Sequence, residues 1–284
     1  MNYKFMSKSF NEKTLKALHL QHIASQFIAI TGKHLIEEKE DDSHTNMTFV
    51  SDKALFVGKT LPNQLHVALQ IESLYLQIVK EDLTVVKQFA LEGKSKLQAF
   101  NLLKQCLSDT GLDVTSLSQE LHYEMPDYEF TDESIFSFDD NDLFEQNALY
   151  RHNAEVVFKD IVSSLKKEIE INVWPHHFDT GSFIPLKHDD NGDLSQSFGM
   201  GFAIPDTMID EPYFYLSFWS SEVITELETP PALPYGIWMM PIWNGAVLRL
   251  SDILRADSDK DQLAIIKSFY SEGLKVLSQY LPIY

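Results

Sequence analysis

The chain reads as an α+β protein of two similar helix–antiparallel strands–helix halves. Three observations predict this. Apolar residues recur at helical spacing in four separated stretches. Between these stretches lie short alternating runs bounded by turn residues, the pattern of half-buried antiparallel strands. The order helix, about four strands, helix then occurs twice. A pseudo-twofold relation between the halves is one reading of that order. Chance equivalence of two α+β halves is the other, because no residue-level repeat accompanies it. The division expected is residues 1–122 for the N-terminal half, 123–145 for an acidic aromatic strap and 146–284 for the C-terminal half.

In the first half, Ser9-Phe10-Asn11-Glu12 has the spacing of a capping box. It opens a helix whose stripe is Leu20, Ile23, Ala24, Phe27 and Ile28, closed at Thr31-Gly32. Strands follow at Met47–Val50 and Ala54–Val57, then along Leu65, Val67, Leu69 and Ile71. The phase slips at Glu72-Ser73, so a bulge or tight turn separates that strand from the alternation Leu74, Leu76, Ile78. Val85, Phe89 and Leu91 mark another strand, and Leu97, Phe100, Leu103 and Leu107 form the stripe of a helix ending at Thr110-Gly111.

Between Gln105 and Tyr150 there is no Lys or Arg but 12 Asp and Glu. Such a tract would be a disordered linker were it not interleaved with Tyr123, Tyr128, Phe130, Phe136, Phe138 and Phe144. The rings predict an extended strap pinned to the body. Asp139-Asp140-Asn141-Asp142 lacks the glycine and terminal glutamate of a calcium loop and reads as a solvated turn.

The second half opens on a helix bearing Ala154, Val157, Phe158, Ile161 and Leu165, leading into a strand at Val173–Phe183. Asn191-Gly192 sets a hairpin turn. Phe198–Ile204, Pro212–Trp219, Ile237–Met240 and Ala246–Leu250 are the later strands, and a helix capped near Asp259 carries Leu263, Ile266, Tyr270, Leu274, Leu277 and Leu281.

Composition narrows the function. With 44% hydrophobic and 12% aromatic residues among 284, the chain has ample material for a core. A formal charge of −19, from 23 basic and 42 acidic residues, opposes nucleic acid and anionic membrane as partners. Met1–Phe10 lacks the apolar run of a signal peptide, and no apolar stretch is long enough to span a bilayer, so the expectation is a cytoplasmic protein. The single cysteine, Cys106, excludes an internal disulfide and a cysteine-built zinc cage.

Chemistry concentrates at Val173–Phe183. Read as one strand, it puts Trp174, His176 and Phe178 on a core face and His177 and Asp179 on the other, with Gly181 permitting close approach. Trp174→Ala should then cost about 3–5 kcal/mol, and Asp179→Ala little. The plain structural alternative is that His177 and Asp179 simply finish a strand end as a hydrogen-bonded pair. His177, Asp179 and Glu211 are the catalytic candidates. A divalent metal, of the kind nitrogen and oxygen ligands suit, would draw on His177 and Asp179 with Asp210 and Glu211, or with the helical pair His152 and Glu155. Ser182 lacks the second glycine of a nucleophile elbow. Gly58-Lys59-Thr60 lacks the earlier glycine of a phosphate loop, Lys53 standing there. Trp174, Trp219, Trp238 and Trp243, with Tyr213, Phe214, Tyr215, Phe218, Met239 and Met240, supply either a core or an aromatic pocket wall.

His177-Phe178-Asp179-Thr180-Gly181-Ser182-Phe183, Gly201-Phe202 and Asp210-Glu211-Pro212-Tyr213-Phe214-Tyr215 resemble phrases of an uncharacterised bacterial family, catalogued as domain of unknown function 5996. The resemblance extends over nearly the whole chain, although Asp179-Thr180 stand where that family carries aromatic residues. The family has no known activity. What the resemblance implies is architecture, and His177, Gly181, Ser182, Asp210, Glu211 and Tyr215 as one constellation.

The functional expectation is a small-molecule pocket in the C-terminal half lined by His177, Gly181, Ser182, Asp210, Glu211, Tyr215 and Trp219. A metal-dependent hydrolase or isomerase is the second reading. A protein-interaction module using the acidic strap is the third.

Overall fold

The structure is a computed structural model describing residues 1–7, 9–138, 141–165 and 169–284. It is mixed α+β with two antiparallel sheets. The elements are α1 (Glu12–Leu35), β1 (Thr48–Val50), β2 (Leu55–Val57), β3 (His66–Gln70), β4 (Tyr75–Val79), β5 (Val85–Ala90), α2 (Lys96–Ser108), α3 (Asp142–Leu165), β6 (Asn172–Trp174), β7 (Asp179–His188), β8 (Leu194–Ala203), β9 (Tyr213–Ser220), β10 (Ile237–Trp238), β11 (Gly245–Arg249), α4 (Leu250–Ile253) and α5 (Asp259–Leu277). Among the described residues no helix is long and apolar enough to cross a membrane.

The chain forms two compact units whose membership cuts across sequence order. The N-terminal unit holds Asn11–Ala148 and Asn172–Phe178; the C-terminal unit holds Met1–Phe10, Leu149–Ile171 and Asp179–Tyr284. Residues 123–145 lie inside the N-terminal unit. Strand order differs between the units, a meander β1–β2–β3–β4–β5 in one and β10–β11–β9–β8–β7 in the other. The topology therefore gives the pseudo-twofold reading no support.

In the N-terminal unit α1 starts at Asn11, whose side chain accepts from the N–H groups of Lys13 and Thr14. The N-cap expected at Ser9 thus lies two residues later, Asn being as good a cap as Ser, and with Thr14 at the third helical position no capping box forms there. The helix runs past Thr31-Gly32 to Leu35, and every residue from Gln21 to Gly32 is buried. Helices with one apolar stripe bury one face; α1 buries all of them, so its polar side chains need internal partners. Gln21 donates to the carbonyls of Ile71 and Phe144, and Thr31 to that of Ile28. One sheet face carries the cross-strand row Phe49, Phe56, Leu69, Leu76 and Phe89, all but Phe89 fully buried. The phase slip at Glu72-Ser73 is a turn between β3 and β4, with Leu74 at φ 49°. α2 has a complete capping box between Ser95 and Gln98. Of its expected stripe, Phe100, Leu103 and Leu107 are buried while Leu97 is 43% exposed. Residues 111–138 pass back without regular strand or helix, so the strap begins before the expected residue 123, while residues 142–145, expected within it, open α3; Phe136 is fully buried. Asp139 and Asp140, of the calcium-like run, lie outside the described residues.

In the C-terminal unit one sheet face carries Ile184, Phe198, Met200, Phe202, Phe214, Leu216, Ala246 and Leu248. These share one core with Ala154, Val157 and Phe158 of α3 and with Ile266, Phe269, Tyr270 and Leu274 of α5. Tyr3 and Met6 complete that core. Amide side chains secure the segment around them. Gln262 exchanges hydrogen bonds with the Met6 backbone, at 3.0 and 2.9 Å, and Asn153 with that of Lys4, at 2.8 and 2.7 Å. The β7–β8 hairpin turns at Gly192, φ +90°, as Asn-Gly predicts.

Candidate functional site

The stretch expected as one strand, Val173–Phe183, is two strands and a turn. β6 stops at Trp174; Pro175 cannot donate to a ladder. The Phe178 N–H then donates to the Trp174 carbonyl at 2.7 Å, with Phe178 at φ 53°. The turn ends the alternation, so His177 and Asp179 do not share a strand face. His177 is exposed in the N-terminal unit, Phe178 is fully buried, and Trp174 is only half-buried.

The other sequence candidates are held in structural roles. Ser182 donates to the Glu170 carbonyl at 2.8 Å. Glu211 accepts from the Ser251 N–H at 2.7 Å and its hydroxyl at 2.8 Å, capping α4. Asp210 is exposed and Trp219 is 45% exposed. His152 Nε2 meets the Asn2 carbonyl at 2.9 Å, and Glu155 pairs with Lys159 at 2.5 Å. Among the described residues no three His, Cys, Asp or Glu side chains converge to hold a metal ion.

Asp179 belongs to a buried polar network. The Tyr215 hydroxyl donates to Asp179 Oδ2 at 2.5 Å, and fully buried Arg151 donates to the Thr180 hydroxyl at 2.7 Å. Burial pushes the Arg151 guanidinium down to about 9, with the Asp179 carboxylate holding it up, so it stays charged at neutral pH. Burial first and Asp179 next raise the Tyr215 phenol well above its ordinary value, keeping it a neutral donor. The Tyr215 ring lies against Gly181, Gly199 and Gly201, and a Cβ at Gly201 would overlap it. Gly181 therefore makes room for a tyrosine, the close approach expected of it being internal.

A cavity also opens in the N-terminal unit, between α1 and the strap. It has a volume of about 310 Å³. Ile23, Phe27 and Ile30 of α1 face Leu121, Met125 and Phe130 of the strap, with Gln26, Gln119, Lys96, Asp127 and Tyr128 as its polar lining. Gln26 is spent on structure, donating to the Pro175 carbonyl at 2.9 Å and accepting from the Tyr123 hydroxyl at 2.5 Å. Tyr128 meets His22 Nδ1 at 2.8 Å. Gln119 differs. Its amide nitrogen donates to Asp132 at 3.3 Å, which orients the side chain because a carboxylate needs a donor, while Oε1 is buried without a hydrogen-bond partner. A ligand carrying an N–H or O–H would satisfy it.

No protein-family model, curated protein or solved structure matches the chain. The sequence reading passed over this cavity because it took α1 as a single apolar stripe. The available signal was a polar line beside that stripe: His19, His22 and Gln26 fall at i, i+3 and i+7, on one helix face.

Proposed function

We propose that the protein binds a small, largely apolar molecule with a hydrogen-bond donor in the cavity between α1 and residues 119–130. The supporting observation is Gln119: a cavity of about 310 Å³ with one apolar wall from α1, within the size range of ligand pockets, that has one buried acceptor without a partner. The formal charge of −19 favours a neutral or basic ligand over an anionic one. No nucleophile–base pair accompanies the cavity among the described residues, so the reading is binding and not catalysis.

N-phenyl-1-naphthylamine, an apolar aromatic amine with one N–H, is a suitable fluorescent probe. The expected result is saturable enhancement with the native protein. Leu121→Trp, which fills the cavity, should abolish it. Gln119→Leu should weaken it about threefold to tenfold, the worth of one hydrogen bond. Undiminished binding by Leu121→Trp would place the probe elsewhere and overturn the proposal.

A further inference from the structure

Residues 132–136 of the strap are held by backbone hydrogen bonds to residues 93–97, whereas several contacts of residues 118–128 are to imidazoles. His34 Nε2 contacts the Ser118 hydroxyl at 3.0 Å and the Glu120 carbonyl at 2.9 Å. His122 stacks on His44 and meets Asp42 at 3.2 Å. The Tyr123 ring packs on His176. Tyr128 stacks on His19 with ring centroids 4.0 Å apart, and its hydroxyl bonds His22.

One of these contacts, and one beside them, require a neutral ring. His22 Nε2 faces the Pro175 carbonyl at 2.8 Å and so must be the N–H; Nδ1 then accepts the Tyr128 O–H. A proton on Nδ1 removes that acceptor. His44 Nδ1 accepts the Lys39 N–H at 3.3 Å and would lose that role in the same way.

We infer that residues 118–130, the part of the strap that lines the α1 cavity and meets the histidines, are a lid over it, latched by neutral histidines and released when they take up protons. The inference rests on the binding reading only for what the lid covers. Burial first and the neighbouring His177 next push the His176 imidazole down to about 4, with His122 adding to this and Asp42 opposing. Burial lowers His44 as well, against Asp42, Glu38 and Asp41 and with His122 assisting, and it lowers His19. Groups whose closed-state values are depressed stabilise the closed lid above the ordinary histidine range, and that stability is lost as pH falls from about 6.5 towards 4. The His122–Asp42 contact at 3.2 Å is a further tie on the strap that does not depend on a neutral ring. Allowing for the partial exposure of His176, the released fraction should rise about tenfold between pH 7 and pH 5.

A nitroxide on Glu124→Cys in a Cys106→Ser background reports strap mobility without any ligand. A second label on Gln88→Cys, in β5, reports the sheet. The expected result is a strap spectrum that becomes mobile between pH 7 and pH 5 while the β5 spectrum is unchanged. His176→Gln, which cannot titrate there, should move that transition to lower pH. A strap equally immobile at both pH values, an unshifted transition in His176→Gln, or joint mobilisation of both labels would overturn the lid. The naphthylamine titration at pH 7 fails or succeeds independently and tests the cavity alone.

Discussion

Asp179 shows how a correct choice of residue can carry the wrong role. An acid two positions from a histidine in an extended stretch reads as half of a reactive pair, because strand periodicity is the only geometry a sequence offers there. Two local facts defeat it: Pro175 breaks the ladder, and Phe178 takes a positive φ that no β pattern announces. The partners of Asp179, Arg151 and Tyr215, come from positions 28 and 36 residues away, 179 − 151 and 215 − 179, and nothing in the spacing links them. The energetic expectation therefore reverses. Asp179→Ala should cost about 3–5 kcal/mol, because it strands a buried guanidinium. Urea unfolding measures this, and a loss under about 1 kcal/mol would mean that Arg151 reaches water. Tyr215→Phe removes one hydrogen bond to a buried carboxylate and should cost about 1.5–3 kcal/mol.

Elements were more legible than residues. Helical stripes and strand alternation are written in side-chain hydrophobicity, and the order of helices and strands followed from them. Ends and buried polar faces were less legible, since a cap depends on which of several competent residues the backbone leaves extended. Asn11, not Ser9, accepts the first free N–H groups of α1, so Asn11→Ala should lower the melting free energy by about 1 kcal/mol. α2 offers a sharper check. Leu97 and Leu103 belong to the same periodic stripe, yet one is 43% exposed and the other 0%. Leu103→Ala should cost about 2–5 kcal/mol and Leu97→Ala under about 1 kcal/mol, both read from calorimetry. Comparable losses would mean that the helix is rotated on its sheet. The strap was legible in part, because rings among acids demanded burial for some of them. Its histidine partners were scattered over α1, the following loop and residues 175–177, beyond the reach of periodicity.

At the scale of the molecule, sequence order and spatial membership diverge. A fragment cut at residue 146 for the C-terminal half would lack Tyr3 and Met6 from its core and leave Gln262 and Asn153 without the backbone they bind. Such a fragment should show collapsed amide dispersion by NMR and exposed hydrophobic surface by dye binding. Supplying residues 1–10, as a separate peptide or by fusion, should restore the dispersion. A well-dispersed spectrum from 146–284 alone would show that the segment is dispensable. The same feature sets a clock on biosynthesis. Met6 leaves the ribosome long before its partner Gln262, 256 residues later. At roughly 5–20 residues per second, that wait is on the order of 13–50 s. During it Met6 lacks Gln262, although Asn153, the partner of Lys4, emerges earlier, and the residues of α1 and its meander have emerged before either. Synthesis itself thus orders assembly, with one unit free to fold on the nascent chain and the other completed only once α5 has emerged.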